Sequence, residues 1–441
     1  MGKPISEAPM VEIAQGEAFT GNLPNILARH AQTVGPLFRR HFVFGSGEEL
    51  EIVYLVGAEA NKLVFNTQRE VFSHKEGWTP IIGDLMGEGL LNIDNPAHAR
   101  ARKMWNPAFT SAYMAVYLPL MEQVIEHHTS TWLARGAVDL YQEAREITFH
   151  VAATALAGIH ATDEVARLQR LFYELLPRAV PGFRDDDAFW ERALAAKEEL
   201  DQMLLTLIAA RRALPEDETR GDVLGLIVHA RDDAGQPLTD EEVLGHLYIL
   251  LVAGHETTTT LAAWTLYYLA TRDDDRHRIA AELAAAPAPF STATLRAVPV
   301  LDAFISEVGR LHSPVQMVPR GVLADVEFEG YVVPAGANVR VGVAACHRLP
   351  HYFAEPERFD LDRFLPPRDE ARRTPYALVT FGGGPRLCIG MNFANLEVKA
   401  LAARALRAFS LTSPVHGAPV DVGFITTTIP SGLPMRVAPR G

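Results

Sequence analysis

Apolar residues recur three and four positions apart along much of the first half of the chain. The spacing is clear over residues 113–135, 140–159, 163–178 and 188–213, which are rich in alanine and leucine. One face of an α-helix repeats with this period, so the pattern predicts an amphipathic helix in each segment. Pro181 and Gly182 predict a break between the last two helices.

A longer helix is predicted to begin at Thr239. The Thr239 hydroxyl can cap the helix and Glu242 can reach back to it, which is the capping-box pattern. The apolar pattern continues to about Arg272. At the rise of an α-helix this is a length of about 50 Å, enough to cross a whole domain. A further helix is predicted over residues 390–409.

Branched residues alternate with turn signals over residues 321–345, which predicts β-structure there. Residues 424–438 predict two short strands around Pro430, Ser431 and Gly432. The expected fold is therefore mainly α with a small β region. No stretch resembles a flexible linker, so we expect residues 1–441 to form one domain in which residues 1–34 are an N-terminal lead-in.

The composition argues against several classes of protein. Hydrophobic residues make up 48% of the 441 positions and charged residues 22%, as in a globular protein with a large core. The formal charge of -13 argues against general nucleic-acid binding, which needs clustered Lys and Arg. No apolar run is long enough to span a membrane, and residues 1–19 lack the features of a signal peptide. We expect a cytoplasmic monomer without a membrane anchor.

The chain contains two cysteines, Cys346 and Cys388, so a disulfide framework is not expected. Cys388 follows three glycines in the stretch from Phe381 to Gly390, just before a predicted helix. A buried cysteine in a turn and a glycine-rich phosphate cradle are alternatives, but the spacings of phosphate loops are missing. Glycines allow a turn that directs N–H groups at the sulfur, and a helix N-terminus favours a thiolate. The pattern favours Cys388 as a thiolate ligand of iron and Cys346 as a core residue.

The middle of the long helix carries residues that suit a helix poorly. Gly254 costs about 1 kcal/mol relative to alanine, and four threonines follow Glu256. Glu256 also follows an otherwise apolar stretch over residues 248–252. A helix face exposed to solvent is the alternative interpretation. Residues that cost helix stability without a structural benefit indicate a functional site.

Both segments resemble those of the cytochrome P450 family. Residues 381–390 match its haem-binding loop, Phe-Gly-x-Gly-x-Arg-x-Cys-x-Gly, at every fixed position, including Gly390. Residues 253–258 match its oxygen-activation motif, Ala/Gly-Gly-x-Asp/Glu-Thr-Thr. The resemblance covers about residues 35–437. It implies haem b between the long helix and the cysteine loop, with the Cys388 thiolate as the axial ligand of iron.

The resemblance also implies roles for residues around the haem. Phe381 would shield the sulfur, and Ala253 would leave room beside the helix for dioxygen and substrate. A threonine hydroxyl can bond back to a helix carbonyl and leave a groove for water. In that groove Thr257 would donate a hydrogen bond to dioxygen, and Glu256 would relay protons that favour cleavage of the O–O bond.

A Glu and an Arg three residues apart, Glu307 and Arg310, share one helix face. On their own they indicate a surface ion pair that stabilises little. In the family the corresponding pair is buried and is completed by a second arginine. Arg358 and Arg363 are both candidates, and the family spacing favours Arg363. Loss of one buried partner would cost about 3–5 kcal/mol.

Four cations are expected to bind the two haem propionates. His98 and Arg102 lie one helical turn apart and match a family HxxxR pattern, and Arg320 and Arg386 also occupy matching positions. Four donors are a sensible number for two carboxylates.

Some of these cations have a second possible role. Arg100, Arg102 and Lys103 could join Arg386 in a basic face for a redox partner, or they could form a solvated helix face.

The resemblance implies a monooxygenase that hydroxylates or epoxidises an apolar small molecule, such as a fatty acid, terpenoid or steroid-like compound. Electrons would come from a ferredoxin or flavodoxin-type reductase system, because the chain has no flavin or nicotinamide fingerprint. A peroxide-using peroxygenase of the same fold and a non-catalytic haem-thiolate sensor are the alternatives. The expected substrate contacts are apolar: Leu85, Ile249, Val252, Val315, Met317 and Ile429.

Overall fold

The computed structural model describes residues 2–14, 16–17, 20–43, 49–176, 186–287, 289–422 and 426–440. Its helices are α1 Leu23–Val34, α2 Ala58–Lys62, α3 His74–Met86, α4 Ala97–Trp105, α5 Ser111–Thr129, α6 Trp132–Arg135, α7 Leu140–Ala157, α8 Thr162–Leu175, α9 Asp187–Arg212, α10 Val223–Ile227, α11 Asp240–Thr271, α12 Asp273–Ala285, α13 Thr292–Arg296, α14 Pro299–Leu311, α15 Val343–Cys346, α16 Glu370–Arg373 and α17 Met391–Ala408. Its strands are β1 Lys3–Pro4, β2 Leu37–Val43, β3 Glu49–Leu55, β4 Phe72–Ser73, β5 Ala137–Asp139, β6 Val318–Val322, β7 Val326–Phe328, β8 Tyr331–Val333, β9 Asn338–Val341, β10 Phe409–Thr412, β11 Asp421–Val422, β12 Thr427–Thr428 and β13 Pro434–Pro439.

The strands form small sheets at the edges of a helical body. The largest sheet among the described residues has five strands in the order β2-β3-β9-β6-β4. The smaller sheets have the orders β1-β8-β7, β10-β13-β5 and β11-β12. Since β3 pairs in parallel with β9, segments about 290 residues apart in the chain meet in one sheet. The prediction of a mainly α fold with a small β region is confirmed.

The long helix α11 runs through the main hydrophobic core. Its N-terminus has the predicted capping box: the Glu242 N–H donates to Thr239 Oγ1 at 3.1 Å, and the Thr239 N–H donates to Glu242 Oε2 at 2.8 Å. Helix α7 packs along it, and α9, α14 and α17 also contact it. Most of its side chains are buried. A helix enclosed on nearly all sides is expected to carry apolar residues on most of its circumference, as this one does outside the segment from His255 to Thr260.

The predicted helix over residues 113–135 is wrong as a single element. Helix α5 ends at Thr129 and α6 begins at Trp132. The Ser130 hydroxyl donates to His127 O at 2.7 Å, and the Thr129 hydroxyl donates to Ile125 O at 2.8 Å. Hydroxyl groups that bond to backbone carbonyls compete with the helical ladder, which accounts for the interruption.

Two parts of the β prediction also needed correction. Residues 343–346 belong to α15, because the Cys346 N–H donates to Gly342 O at 3.0 Å in a helical turn. The hairpin of β2 and β3 was not predicted, although each strand is rich in branched and aromatic residues. The strands on either side of residues 430–432 are present as β12 and β13. The predicted break at Pro181 and Gly182 lies outside the described residues.

Candidate active site

Cys388 lies in a tight loop that ends where α17 begins. Gly382 and Gly384 have φ values of 74° and 62°, a backbone region that favours glycine. A Cβ atom at Gly384 would lie 2.0 Å from the carbonyl oxygen of Phe65, so no larger residue fits there. The Cys388 N–H donates to the carbonyl oxygen of Phe381 at 2.9 Å and closes the loop.

The surroundings of the Cys388 sulfur shift its pKa in both directions, with a net increase. Burial raises the pKa of the thiol, whereas hydrogen bonds from the N–H groups of Gly390 and Met391 and the charge of Arg102 lower it. Both N–H groups belong to the N-terminus of α17, where the helix dipole favours an anion. Cys388 keeps accessible surface, so its side chain borders space that a ligand can occupy.

Helix α11 presents Ala253, Gly254 and Thr257 with partial exposure within the buried part of the helix. The Thr257 hydroxyl donates to Ala253 O at 2.6 Å, the back-bond expected from the sequence. A Cβ atom at Gly254 would lie 3.0 Å from a methyl group of Leu156, so the glycine allows α7 to pack closely. The close packing explains why a poor helix former occurs at this position.

Glu256 points to a polar cluster between α7, α8 and α11. Its side chain is 12% exposed, with Oε1 3.9 Å from Arg145 Nη2 and 3.5 Å from His255 Nδ1. Burial raises the pKa of the Glu256 carboxyl, and the Arg145 charge opposes that shift. A carboxyl with a raised pKa exchanges a proton more readily near neutral pH.

Glu307, Arg310 and Arg363 form a buried ion-pair cluster. Arg310 Nε lies 2.6 Å from Glu307 Oε2, and Arg363 Nε lies 3.1 Å from Glu307 Oε1. All three side chains are 0–1% exposed. Arg358 does not take the second position, because its side chain is 64% exposed and pairs with Glu355. The sequence analysis missed Glu370, which accepts a hydrogen bond from Arg363 Nη1 at 2.9 Å.

Contacts from the ion-pair cluster reach the segment that leads into the cysteine loop. Arg310 donates to the carbonyl oxygen of His347 at 3.0 Å, and the His347 ring accepts from the Val379 N–H at 3.0 Å. A Cβ atom at Gly309 would lie 3.1 Å from the methyl group of Thr380. This close packing against Thr380 explains why a small residue occupies position 309.

The four residues predicted to bind the propionates lie in one region. Burial lowers the pKa of Arg320 to about 9, of Arg386 to about 10 and of His98 to about 3. Burial also lowers the pKa of Arg102. The Arg386 charge further depresses the pKa of both Arg320 and His98, so these side chains face one another.

His74 is a further member of this group that the sequence analysis missed. Its ring is buried, and burial together with Arg320 and Arg386 lowers its pKa well below the usual value. His74 begins α3, where the Ser73 hydroxyl accepts the Glu76 N–H at 2.9 Å. No motif marks this position, because it is far from the other members in the chain.

These cations fit the propionates of a haem. Among the described residues, Asp94 is the carboxylate that Arg386 approaches, at 3.6 Å. His74 Nδ1 and Arg320 Nε are buried without a hydrogen-bond partner among the described atoms. A buried ring nitrogen and a buried guanidinium that are short of partners are expected where an anionic group binds. The residues present therefore suit a cofactor with two carboxylates.

The proposed basic docking face is largely neutralised. Arg100 Nε lies 2.7 Å from Asp232, and Lys103 Nζ lies 2.6 Å from Asp233. Arg102 donates to the side-chain oxygen of Asn106 at 2.8 Å. Exposed pairs of this kind screen positive charge on α4 and correspond to the solvated-face alternative.

The predicted substrate contacts fall into two groups. Leu85, Ile249, Val252 and Ile429 are at most 5% exposed and pack in the main core. Val315 and Met317 are partly exposed and lie in the segment before β6. Their segment is tied to the C-terminal turn, because the Thr427 hydroxyl donates to Ser313 O at 2.8 Å and the Thr260 hydroxyl donates to Thr427 O. Their roles as substrate contacts remain predictions.

The described residues contain no helix long and apolar enough to span a bilayer.

The family model for cytochrome P450 matches residues 6–428 and so includes most of the expected lead-in. A putative cytochrome P450 136 of Mycobacterium tuberculosis is 29% identical over 98% of this chain and 86% of its own length. A putative cytochrome P450 120 of Synechocystis is 31% identical over 87% of this chain and 85% of its own length.

Solved structures show the same architecture. A retinoic acid-bound cyanobacterial CYP120A1 has a TM-score of 0.84 and 28% identity, with all of both chains covered. The haem domain of cytochrome P450DA has a TM-score of 0.85 at 23% identity, covering 100% of this chain and 98% of its own, and supports the fold alone. The extent of the family match and the site geometry lead to the same conclusion: the chain belongs to the cytochrome P450 family of haem-thiolate monooxygenases.

Proposed function

We propose that this protein is a haem-thiolate monooxygenase that holds the iron of haem b through Cys388 and oxidises an apolar small molecule. The observation that carries the proposal is the position of the Cys388 sulfur. The residue keeps accessible surface at the N-terminus of α17, where two N–H groups and the charge of Arg102 lower the pKa of the thiol against the effect of burial. Bound haem would supply the activation of dioxygen, as in the family.

The residues of this chain hold the cofactor from both ends of the site. Arg320, Arg386, Arg102 and His98 would bind the propionates, with His74 as a fifth donor. Charge-assisted bonds to carboxylates are roughly twice as strong as neutral ones. The anions would also relieve the mutual repulsion of the buried cations. Phe381 lies on the cysteine loop and is partly buried, consistent with a role in shielding the sulfur.

Thr257 and Glu256 would handle protons on the α11 side. The Thr257 hydroxyl proton is engaged by Ala253 O at 2.6 Å, so the hydroxyl must rotate before it can donate to a bound ligand. Glu256 is almost buried and lies next to Arg145, which keeps its carboxyl available to release a proton inward. We propose that this acid and alcohol act in sequence.

The substrate proposed here is an apolar compound such as a fatty acid, terpenoid or steroid-like molecule. The predicted contacts are apolar, and the cyanobacterial structure holds retinoic acid, a largely apolar molecule. Electrons would come from a ferredoxin or flavodoxin-type reductase system. Turnover with such a system should exceed turnover with hydrogen peroxide, and the reverse result would favour a peroxygenase.

The cysteine assignment is tested by the absorption spectrum of the reduced protein with carbon monoxide. We expect the wild-type protein to show the long-wavelength Soret band of thiolate ligation. Cys388→Ser should lose this band, and Cys346→Ala is the matched control that should keep it. A Cys388→Ser protein that retains the thiolate band would overturn the proposal. Titration with retinoic acid, a fatty acid and a steroid, followed by the Soret shift, then tests the substrate class.

A further inference from the structure

A chain of polar side chains connects Glu256 to helix α8. His255 Nε2 lies 3.2 Å from the Tyr173 hydroxyl, and His255 Nδ1 lies 3.5 Å from Glu256 Oε1. The amide of Gln169 donates to the Tyr173 hydroxyl oxygen at 3.1 Å and to Glu146 Oε2 at 3.4 Å. Glu146 is exposed, so the chain runs from the surface to the acid on α11.

The directions of these hydrogen bonds define the tautomer of His255. The amide nitrogen of Gln169 can only donate, so the Tyr173 oxygen accepts from it. The Tyr173 proton is then free to be donated to His255 Nε2. With Nε2 accepting, the ring proton of neutral His255 must be on Nδ1, the nitrogen that faces Glu256.

The packing keeps His255 neutral and in place. Its side chain is 2% exposed, and burial lowers its pKa to about 3, with a further contribution from Arg145. Phe149 packs edge-on against the ring at a centroid distance of 5.1 Å. The Arg145 guanidinium lies over the Tyr173 ring, 3.4 Å from its centroid. Both rings of the Tyr173–His255 pair are therefore held by neighbours on α7.

We propose that Tyr173 and His255 form a proton relay that supplies Glu256 from the α8 side. The relay rests on the proposed role of Glu256 as a proton donor. Hydronium at the surface protonates the oxygen of half-buried Tyr173, leaving water, as the Tyr173 hydroxyl proton moves to His255 Nε2. The Nδ1 proton of His255 moves at the same time to a Glu256 carboxylate that has released its own proton inward. One proton enters from hydronium and one reaches Glu256, and His255 is left protonated on Nε2 after the step.

The test compares Tyr173→Phe with a matched control in the same helix system. Tyr173→Phe removes the hydroxyl and keeps the ring under Arg145. The control is Tyr268→Phe, because the Tyr268 hydroxyl lies 2.9 Å from His312 Nε2 in a similar pair that also involves α11. We measure the share of consumed electrons that appears in product rather than in hydrogen peroxide, together with the solvent isotope effect.

We expect Glu256→Gln to lower product formation by about 100-fold, the lower end of what a positioned acid contributes. Tyr173→Phe should lower it by less, about 10-fold, because Glu256 itself is kept. Tyr173→Phe should raise the solvent isotope effect. When Glu256→Gln is already present, adding Tyr173→Phe should lower product formation little further, because both substitutions interrupt one path. Tyr268→Phe should leave both readouts unchanged. Equal behaviour of Tyr173→Phe and Tyr268→Phe would overturn the relay.

A readout independent of turnover is the ¹⁵N NMR spectrum of the reduced, carbon monoxide-bound protein. The signal lost in His255→Gln assigns the resonances of His255. In the wild-type protein these should show a proton on Nδ1, and in Tyr173→Phe they should show a mixture of the two ring tautomers. A His255 protonated on Nε2 in the wild-type protein would also overturn the proposal. If Glu256→Gln leaves proton-dependent turnover intact, the proposed role of Glu256 fails. If Glu256→Gln lowers product formation but Tyr173→Phe does not, the relay fails and the proposed role of Glu256 stands.

Discussion

Arg310 and Arg363 are surrounded by acceptors, whereas Arg320 is buried just as deeply with few. The two arginines of the ion-pair cluster share Glu307 and also donate to several backbone carbonyls. Arg320 donates to the carbonyl of its own neighbour, Pro319, and its Nε has no partner among the described atoms. Arg386 lies in the same group at 3.6 Å from Asp94.

The difference separates a structural cluster from a binding site. A buried charge is costly unless it is paired and hydrogen-bonded. The cluster around Glu307 meets this condition within the protein and contributes to the fold by itself. The group around Arg320 meets it only when an anion binds. A buried set of arginines with few acceptors and one nearby carboxylate, Asp94, is therefore a sign of a ligand, and the haem propionates would supply further negative charge.

The largest expected effect comes from breaking the complete cluster. Glu307→Gln removes the charge shared by Arg310 and Arg363 and should lower the free energy of unfolding by about 3–5 kcal/mol. Denaturant unfolding of the purified protein measures it. The matched control is Arg358→Gln, whose exposed side chain should contribute almost nothing. Similar unfolding midpoints for the two variants would show that the cluster is not a stabilising unit.

A substitution of Arg320 is expected to have an intermediate effect on the free energy of unfolding, with opposite signs in the haem-free and haem-loaded protein. Arg320→Met removes a buried charge short of partners, so the haem-free protein should gain about 1–3 kcal/mol of unfolding free energy. In the haem-loaded protein the same substitution removes a bond to a propionate and should lower stability by a similar amount. Thermal unfolding of both forms measures the two effects. The same sign in both forms would contradict the assignment of Arg320 to the propionates.

The smallest effect concerns the pH dependence of the haem-free protein. Burial and the nearby Arg386 and Arg102 lower the pKa of His98 to about 3 in the fold, below its usual value. The unfolded chain then binds more protons, so the contribution of His98 to stability is complete above about pH 6.5 and falls as the pH decreases. His98→Gln should reduce this slope by less than about 1.4 kcal/mol per pH unit.

The control for this pH effect is His277→Gln, because His277 is exposed on α12. That variant should keep the wild-type slope in thermal unfolding measured from pH 7.5 to pH 5. Bound haem should weaken the slope in the wild-type protein, since the propionates favour a charged His98. A slope unchanged by His98→Gln would place His98 outside the cationic group.

Local features of the site were largely predictable. The glycines before Cys388, the capping box at Thr239 and the back-bond of Thr257 all depend on residues within a few positions of each other. Short-range geometry decides these features, and the sequence states it directly. The choice of Arg363 over Arg358 was also possible, because it depends on spacing within one short segment.

Other members of the site were not predictable from local pattern. His74 joins Arg320 and Arg386 from distant parts of the chain, and Glu370 joins the cluster around Glu307 from a separate short helix. The Tyr173–His255 contact likewise joins α8 to α11. Each of these residues is an ordinary polar residue in its own segment. The spacing of apolar and polar residues along the chain does not indicate which distant charged residues will be buried together.

The amino-acid sequence alone determined the mainly helical fold, the cysteine loop and the motif on α11, because backbone conformation and helix capping depend on neighbouring residues. The tertiary structure decided which buried charges are paired within the protein, as around Glu307, and which have few partners there, as around Arg320. It also decided that the Glu256 carboxylate lies next to His255 and Arg145. Pairing and burial depend on the distance between side chains after the helices pack, and that distance is a property of the whole fold.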